Sequence, residues 1–511
     1  MLGAIALALA FPKTGQAWLA PLGAAGLFWA WERLSWKRAF FAAWFAGTIF
    51  FAINFSWFTY TVGSYVGSLA FAVVLVPALI EALAFALTAL CSKLAFRVEP
   101  QWMAPAAGAA AFTLFECLRS VDETAVPFAQ IGYSQTSTPL ALFAPYVGSF
   151  GVTFIVMLLG GYIAYAISRR NAAPLAIAIA IVAGGWYAAY SAWPARHYAA
   201  PTLRVAAVQG NIAQSIKWNP QTLPRSAARY IALTKSLAPF RPQLVVWPET
   251  VITTDLDDVP DYWNVPALAP DQRRALESYL STAARLRAQF ADLARSMRTT
   301  LVVGSLDRHL GSEGLKEYNA LYTYGPTGAL LNVYDKRQLV PFAESLLAPA
   351  IFGLLPHADL IGRFGHGMEN TVIPVDSSGM RFAPLICWES AFPDLVHAQI
   401  RNGAQFLVIP TDDAWFGKSS GTFQHAQIAQ MRAVETGEWV VQAASTGISG
   451  IISPRGEWTE ATQLDKTAIM VGNVGSPSGS LFARIGPNPV MYALAALYVT
   501  ILLIGSAVRR A

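Results

Sequence analysis

The sequence predicts an α/β protein in two parts: a polytopic helical membrane domain of about eight transmembrane helices, and a soluble domain of alternating strands and helices. Three observations predict it. Only 13% of the 511 residues are charged while 54% are hydrophobic, whereas roughly a quarter of an ordinary soluble chain is charged. Apolar runs of membrane-crossing length follow one another from Leu2 to Tyr190. Beyond them charged residues return and the apolar runs shorten to strand length.

The first seven spans are read at approximately 2–12, 15–31, 39–62, 68–92, 103–120, 139–167 and 173–192. All but the first have about the 20 residues a helix needs to cross a hydrocarbon core roughly 30 Å thick. An eighth, Val490 to Val508, comes near the carboxyl end. Gly and Ala are frequent in these runs, as close helix packing in lipid requires. The opening MLGAIALALAFP lacks the basic start and the cleavage pattern of a signal peptide, so it reads as a retained membrane segment. Glu116 and Arg119, three apart on one helix face, are expected to pair because isolated charge in lipid is costly.

Basic residues fall in alternate connections: Arg33, Lys37 and Arg38, then Lys93 and Arg97, then Arg169 and Arg170, then Arg509 and Arg510. The positive-inside rule makes these the cytoplasmic ends. The expected organisation is a helical domain over 1–198, an extracytoplasmic domain over 199–484, and a last helix with a basic tail over 485–511. A net charge of only +5, with Lys and Arg scattered, gives no nucleic-acid footprint. The six His are dispersed, with no HExxH, no paired CxxC and no glycine-rich phosphate loop, so neither a metal nor a nucleotide cofactor is expected. Cys91 and Cys117 lie in apolar stretches and Cys387 in the polar half, which leaves no disulfide framework to read.

In the soluble half LRVAAVQ, LVVWP, TLVVGS, ALYTYG, FAPLICW, FLVIP and WVVQAAS alternate with helical stretches such as 271–297, the pattern of a sandwich or layered sheet. Three strand ends carry reactive groups. Cys387 follows the run Phe382 to Ile386, where a rigid sheet projects its thiol, although a lone Cys is more often an inert small hydrophobe. Glu249 comes directly after LVVWP, and a carboxylate there is costly to bury unless paired or used as a base. Lys336 stands in YDKRQLVPFAES, and an ammonium stabilises an oxyanion or lowers the pKa of a nearby thiol. Taken singly, each charge is more often an ordinary surface residue.

The strings that join them are VQGNIAQSIKW (208–218), VVWPET (245–250), YNALYT (318–323), YDKRQLVPFAE (334–344), ICWES (386–390), DDAWFG (412–417), MRAVETG (431–437) and STGISG (445–450), with FAQIGYSQ (128–135) in the helical half. In this order they resemble the apolipoprotein N-acyltransferase family of the nitrilase superfamily, nearly end to end. The resemblance implies a nitrilase-like α-β-β-α sandwich with Glu249 as general base, Cys387 as nucleophile, and Lys336 with the backbone N–H of Trp388 as oxyanion stabilisers. Glu344 and Glu389 are then supporting carboxylates. It further implies a phospholipid acyl donor, a Cys387 thioester with ping-pong kinetics, and a diacylglyceryl-cysteine lipoprotein as acceptor. It implies a monomer in the bacterial inner membrane, with its catalytic domain on the periplasmic side and no cofactor. The chain departs from the family's strings at three places: Trp388 where Tyr is usual, Pro341 to Glu344 reading PFAE for PFGE, and Thr411-Asp412 for Ser-Asn.

Trp218, Phe342, Trp388, Trp415 and Phe416 stand near these motifs, and an acyl-chain groove, a lid or plain core packing accounts for them equally. His425 reads as a local hydrogen-bonding residue rather than a base. Two rivals remain at this point. A membrane-tethered amidase would share Glu249, Lys336 and Cys387 but pass the acyl group to water, and a transporter or scaffold would have no need of the three.

Overall fold

The computed structural model describes residues 1–67, 70–121, 125–192, 202–256, 270–311, 314–341, 344, 364–375, 378–476 and 479–508. Two compact units result, one formed by Met1–His197, Lys418–Gly437 and Ser478–Ala511, the other by Tyr198–Gly417 and Glu438–Pro477.

In the first unit the apolar runs form helices at Leu2–Leu9, Leu19–Arg33, Trp36–Asn54, Trp57–Val66, Ala70–Glu81, Leu83–Ala95, Ala104–Leu118, Ala144–Arg169, Ala173–Ala192 and Pro487–Val508. Among the described residues four helices are long and apolar enough to cross a membrane: Ala70–Ala95, Pro139–Arg169, Ala173–Ala192 and Pro487–Val508. The run expected as one span over 39–62 is broken at Phe55, which leaves helical geometry at φ −93°, ψ 7°. The cause is local: the Asn54 side chain donates to Phe50 O at 3.0 Å and competes with the backbone ladder. A second break falls at Gly148, whose φ of +65° bends the helix where an added Cβ would stand 2.3 Å from the Phe482 ring.

The expected Glu116–Arg119 pair does not form. Arg119 lies one residue past the helix end, and its guanidinium turns to Glu81 and to the carbonyls of Val126 and Phe128. Glu116 instead accepts from Ile131 N at 2.7 Å and Thr153 Oγ1 at 2.5 Å, which fastens the buried turn Ile131–Gln135 among the helices.

The helix Ser420–Thr436 falls inside the 199–484 segment of the sequence, yet it groups with the helical unit. Its buried side chains explain why. Arg432 donates to Tyr133 Oη at 2.9 Å, Glu435 accepts from Ser149 N at 3.1 Å, and the His425 ring stacks on Phe128.

The second unit holds twelve strands among its described residues: β1 (Leu203–Gln209), β2 (Leu244–Val246), β3 (Thr300–Gly311), β4 (Gly314–Tyr324), β5 (Leu330–Asp335), β6 (Ile373–Pro374), β7 (Arg381–Pro384), β8 (Phe406–Thr411), β9 (Trp439–Ala444), β10 (Gly450–Ile452), β11 (Trp458–Ala461) and β12 (Ala468–Val474). They form two six-stranded sheets, ordered β12-β1-β2-β3-β4-β5 and β11-β10-β9-β8-β7-β6. The two-residue period of a strand divides their side chains between layers. Leu203, Val205 and Ala207 of β1 meet Phe382, Phe406, Val408 and Val441 of the other sheet, while Ala206 and Val208 pack with Tyr230 and Phe290 of the helices Leu223–Ser236 and Pro270–Met297. This is the layering of an α-β-β-α sandwich.

Each sheet has a parallel centre, β1-β2-β3 in one and β7-β8-β9 in the other. Side chains at the carboxyl ends of such strands leave the ladder together and converge in a crevice.

Candidate active site

Glu249 stands three residues past β2. Trp247 N still bonds Val302 O at 2.9 Å, but Pro248 has no N–H to continue the ladder, and the chain turns through Thr250 at φ +44°. Glu249 is buried and its carboxylate is fully engaged. Oε1 accepts from Lys336 Nζ at 2.8 Å and Asn319 Nδ2 at 2.6 Å, and Oε2 accepts from Asp412 N at 2.8 Å.

Lys336 follows β5, its own N–H bonded to Asn319 O at 2.8 Å. Its buried ammonium donates to Glu344 Oε1 at 2.9 Å as well as to Glu249. Glu344 is fixed in turn by Asn319 Nδ2 at 3.0 Å and Val340 N at 2.8 Å. Phe342 lies outside the described residues.

Cys387 follows β7, where Leu385 N makes a last ladder bond to Val408 O and the backbone then swings to φ +52° at Cys387. A non-glycine residue held in that region is strained, and such strain is typical of a side chain aimed at a functional cleft. The thiol is 6% exposed, takes a side-chain hydrogen bond with Thr411 and feels the charges of Glu249, Lys336 and Asp413. The structure thus brings Glu249, Lys336 and Cys387 together from two sheets.

The electrostatics follow from burial and pairing. Burial by itself raises the Glu249 carboxyl, but the Lys336 and Lys217 ammoniums outweigh it and hold the group below its ordinary 4.5. Burial works against the Lys336 charge, and Glu249, Glu344 and Cys387 more than reverse that, raising it above 10.5. Burial and then the Glu249 charge push the Cys387 thiol well above 9.0, with Lys336 pulling the other way. At rest the proton therefore sits on sulfur, with an ionised carboxylate and an ammonium beside it.

Glu389 ties the Cys387 turn to the segment after β5. Its Oε2 accepts from Ile386 N at 2.6 Å, and its Oε1 from Arg337 N at 2.6 Å, Tyr334 Oη at 3.0 Å and Gln338 N at 3.3 Å. Burial pushes this carboxyl up to about 7, against the pull of those donors. Trp388 is buried beside it in the short turn Cys387–Ala391. Of the aromatic candidates, Phe416 is buried, Trp415 half-buried, and Trp218 is 42% exposed.

Sequence reasoning gave no role to four groups of this site. Asn319 bridges Glu249 and Glu344, Thr411 and Asp413 lie at Cys387, and Lys217 is buried behind Glu249. Asn319, Lys217 and Asp413 stand within the strings YNALYT, VQGNIAQSIKW and DDAWFG, and Thr411 stood out only as a departure from the family's Ser. Among the described residues one group has metal-ligand composition, Asp307, His309 and Asp335. His309 Nε2 lies 3.0 Å from Asp307 Oδ2 and 3.3 Å from Asp335 Oδ2, distances that a half-exposed histidine shared between two carboxylates accounts for without an ion.

Matches to two family models agree with this architecture. The carbon-nitrogen hydrolase family model matches residues 204–478, and the apolipoprotein N-acyltransferase N-terminal domain model matches residues 3–162. The apolipoprotein N-acyltransferase of Methylococcus capsulatus is 32% identical over 94% of this chain and 90% of its own. That of Geobacter metallireducens is 30% identical over 94% of this chain and 90% of its own. The amidase from Nesterenkonia sp. aligns in structure with 57% of this chain and 96% of its own, at 18% identity and a TM-score of 0.38. The two family matches and the near full-length relatives together place the chain in the apolipoprotein N-acyltransferase family, within the carbon-nitrogen hydrolase group.

Proposed function

We propose that Cys387 takes a fatty acyl group from a phospholipid and passes it to the α-amine of a lipoprotein's diacylglyceryl-cysteine, with Glu249 as the shuttling base. The single observation carrying this is the convergence of the buried, strained Cys387 with a Glu249 carboxylate that Lys336 Nζ holds at 2.8 Å, in a chain of the apolipoprotein N-acyltransferase family. A nucleophile whose proton needs removing and a base poised to take it is the arrangement general-base catalysis requires.

In the first half-reaction the Cys387 proton passes to Glu249 as sulfur bonds to the ester carbonyl carbon. The oxygen turns anionic and meets Lys336 Nζ and the Trp388 N–H. The C–O bond then breaks, the lysophospholipid leaves with the proton from Glu249, and a thioester remains. In the second, the amine attacks that thioester, gives a proton to Glu249, and the C–S bond breaks to restore the thiol. A thioester is less stable than an oxygen ester and more reactive toward amines, so its uphill formation is drawn forward by conversion to the more stable amide, and the two steps together need no further energy input. Trp218, which is 42% exposed beside Lys217, is suited to guide acyl chains, and Glu344 and Glu389 hold Lys336 and the nucleophile turn in place. The basic connections at one end of the helices favour the bacterial inner membrane with the catalytic domain on the periplasmic side, where both lipid substrates share its surface.

The test is mass spectrometry of the purified chain after incubation with phospholipid. Cys387 should gain one acyl mass and lose it to a diacylglyceryl-cysteine peptide, which becomes N-acylated. An unmodified thiol overturns the nucleophile assignment, and free fatty acid without N-acylated peptide assigns the chain to the hydrolases instead.

A further inference from the structure

We propose that Lys217 and Asp412 act as a positioning pair for Glu249, holding the backbone and one oxygen of the base and balancing the charge around it. The inference rests on Glu249 being the base.

Lys217 ends the short helix Gln214–Lys217 and is buried. All three of its N–H donors are used: to Glu249 O at 3.1 Å, Thr250 Oγ1 at 2.6 Å and Asp412 Oδ2 at 2.5 Å. The first two pin the turn on which Glu249 stands, where Thr250 is held at φ +44° and needs external support. The third recruits Asp412, whose backbone N–H donates to Glu249 Oε2 at 2.8 Å. One ion pair therefore fixes the base from behind and from the side.

The charge balance is the second part. Facing Glu249 are the ammoniums of Lys336 and Lys217, the carboxylate of Asp412 and the thiol of Cys387, with Glu344 beyond Asn319 and Lys336. Two cations beside a carboxylate make it a weaker base, and an opposite charge within about 4–6 Å lowers the pKa of such a group by roughly 1–3. Asp412 offsets Lys217. Burial raises the Asp412 carboxyl against the pull of Lys217, and the Glu249 charge adds to the rise, so Asp412 and Glu249 act on each other. At this position the strings that the sequence resembles carry Asn, and this chain carries Asp. An amide would keep the backbone donor yet leave the Lys217 charge bearing on the base. Asp412 thus makes Glu249 more basic than an Asn there would.

The experiment follows single-turnover acylation of Cys387 by mass spectrometry, with the full-length chain in phospholipid micelles, as pH falls from about 7 to about 2. Asp412→Asn removes a negative charge, so its acid limb should move to lower pH. Lys217→Met removes a positive one, so its limb should move to higher pH. The double variant should return close to the parent. Where a limb has moved by about 1 in pH, the rate on its steep part should differ from the parent's by up to about tenfold, in opposite directions for the two single variants. Limbs that stay in place while plateau rates fall would reduce the pair to packing and overturn the inference, as would two limbs displaced in the same direction. Should Lys217→Met fail to fold, the direction in which the Asp412→Asn limb moves decides alone. Glu249→Gln separates the two readings. Full-rate acylation by that variant removes the base assignment itself, whereas slow acylation together with an unmoved Asp412→Asn limb removes only the pair.

Discussion

Lys336 Nζ donates to Glu249 Oε1 at 2.8 Å, and both groups are buried. Each is the other's main counter-charge, so neither can be removed quietly. Among the described residues, Lys336→Met leaves the Glu249 carboxylate with hydrogen bonds from Asn319 and Asp412 N and the Lys217 charge nearby, and truncating one member of a buried ion pair typically costs about 3–5 kcal/mol. The variant should unfold at a clearly lower temperature and form no detectable acyl-enzyme in the time of a parental turnover. Parental acylation by a folded Lys336→Met protein would remove the lysine from the mechanism.

Gly304 of β3 supports the same carboxylate from outside the charged cluster. An added Cβ there would stand 2.0 Å from Pro248 O and 2.8 Å from Glu249 Cα, contacts no neighbouring side chain can relieve. Gly304→Ala should therefore displace the Glu249 turn, with a stability loss of about 1–3 kcal/mol for the overpacking. Misplacing a reacting group by about 1 Å costs on the order of a hundredfold in rate. Thermal unfolding and single-turnover acylation measure the two effects, and an unchanged rate would show that the turn tolerates movement.

The order of elements around this site was legible because the soluble half obeys short-range rules. Short apolar runs marked β1, β3, β8 and β9, and each strand-end reactive group stood where its run stopped. What escaped was set by distance in the chain. Glu389 was expected as a supporting carboxylate from the resemblance alone, and only folding shows what it joins: Ile386 N on one side and Arg337 N, 52 residues away, on the other. Glu116 and Arg119 failed for a related reason. Helix spacing predicted their meeting, but Arg119 lies past the last turn, where Glu81 of another helix is the nearer partner. The place of Ser420–Thr436 among the membrane helices likewise depends on Tyr133 and Ser149, far earlier in the chain.

That helix gives a prediction for the membrane half. Arg432 Nη1 and Glu435 Oε1 are 2.7 Å apart with both side chains fully buried. Arg432→Ala leaves the buried Glu435 without its counter-charge, at a cost of about 3–5 kcal/mol, whereas replacing both partners by apolar residues of similar size is often close to neutral. Arg432→Ala should lower the unfolding temperature in detergent more than the double variant Arg432→Met with Glu435→Leu. If the double variant proves the less stable, the pair contributes more than its own neutralisation.

The acylation rate should also report its base and nucleophile through its pH dependence. The reactive protonation state has Glu249 ionised and one proton shared between it and the Cys387 sulfur. That state is lost in acid when Glu249 takes a second proton, and the Lys336 and Lys217 ammoniums hold this event below 4.5. It is lost in base when the shared proton leaves, and burial with the Glu249 charge holds that event above 9.0. Single-turnover acylation should therefore be flat from about pH 5 to about pH 9 and fall on either side, because each limb of such a profile follows the group that must keep or lose its proton. Glu249→Gln should remove the acid limb along with most of the rate, leaving a slow reaction that rises with pH as the thiol ionises unaided. A parental profile that climbs through the range of an ordinary thiol instead would mean that Cys387 reacts as a thiolate made without Glu249, and the carboxylate would then be an orienting group rather than the base.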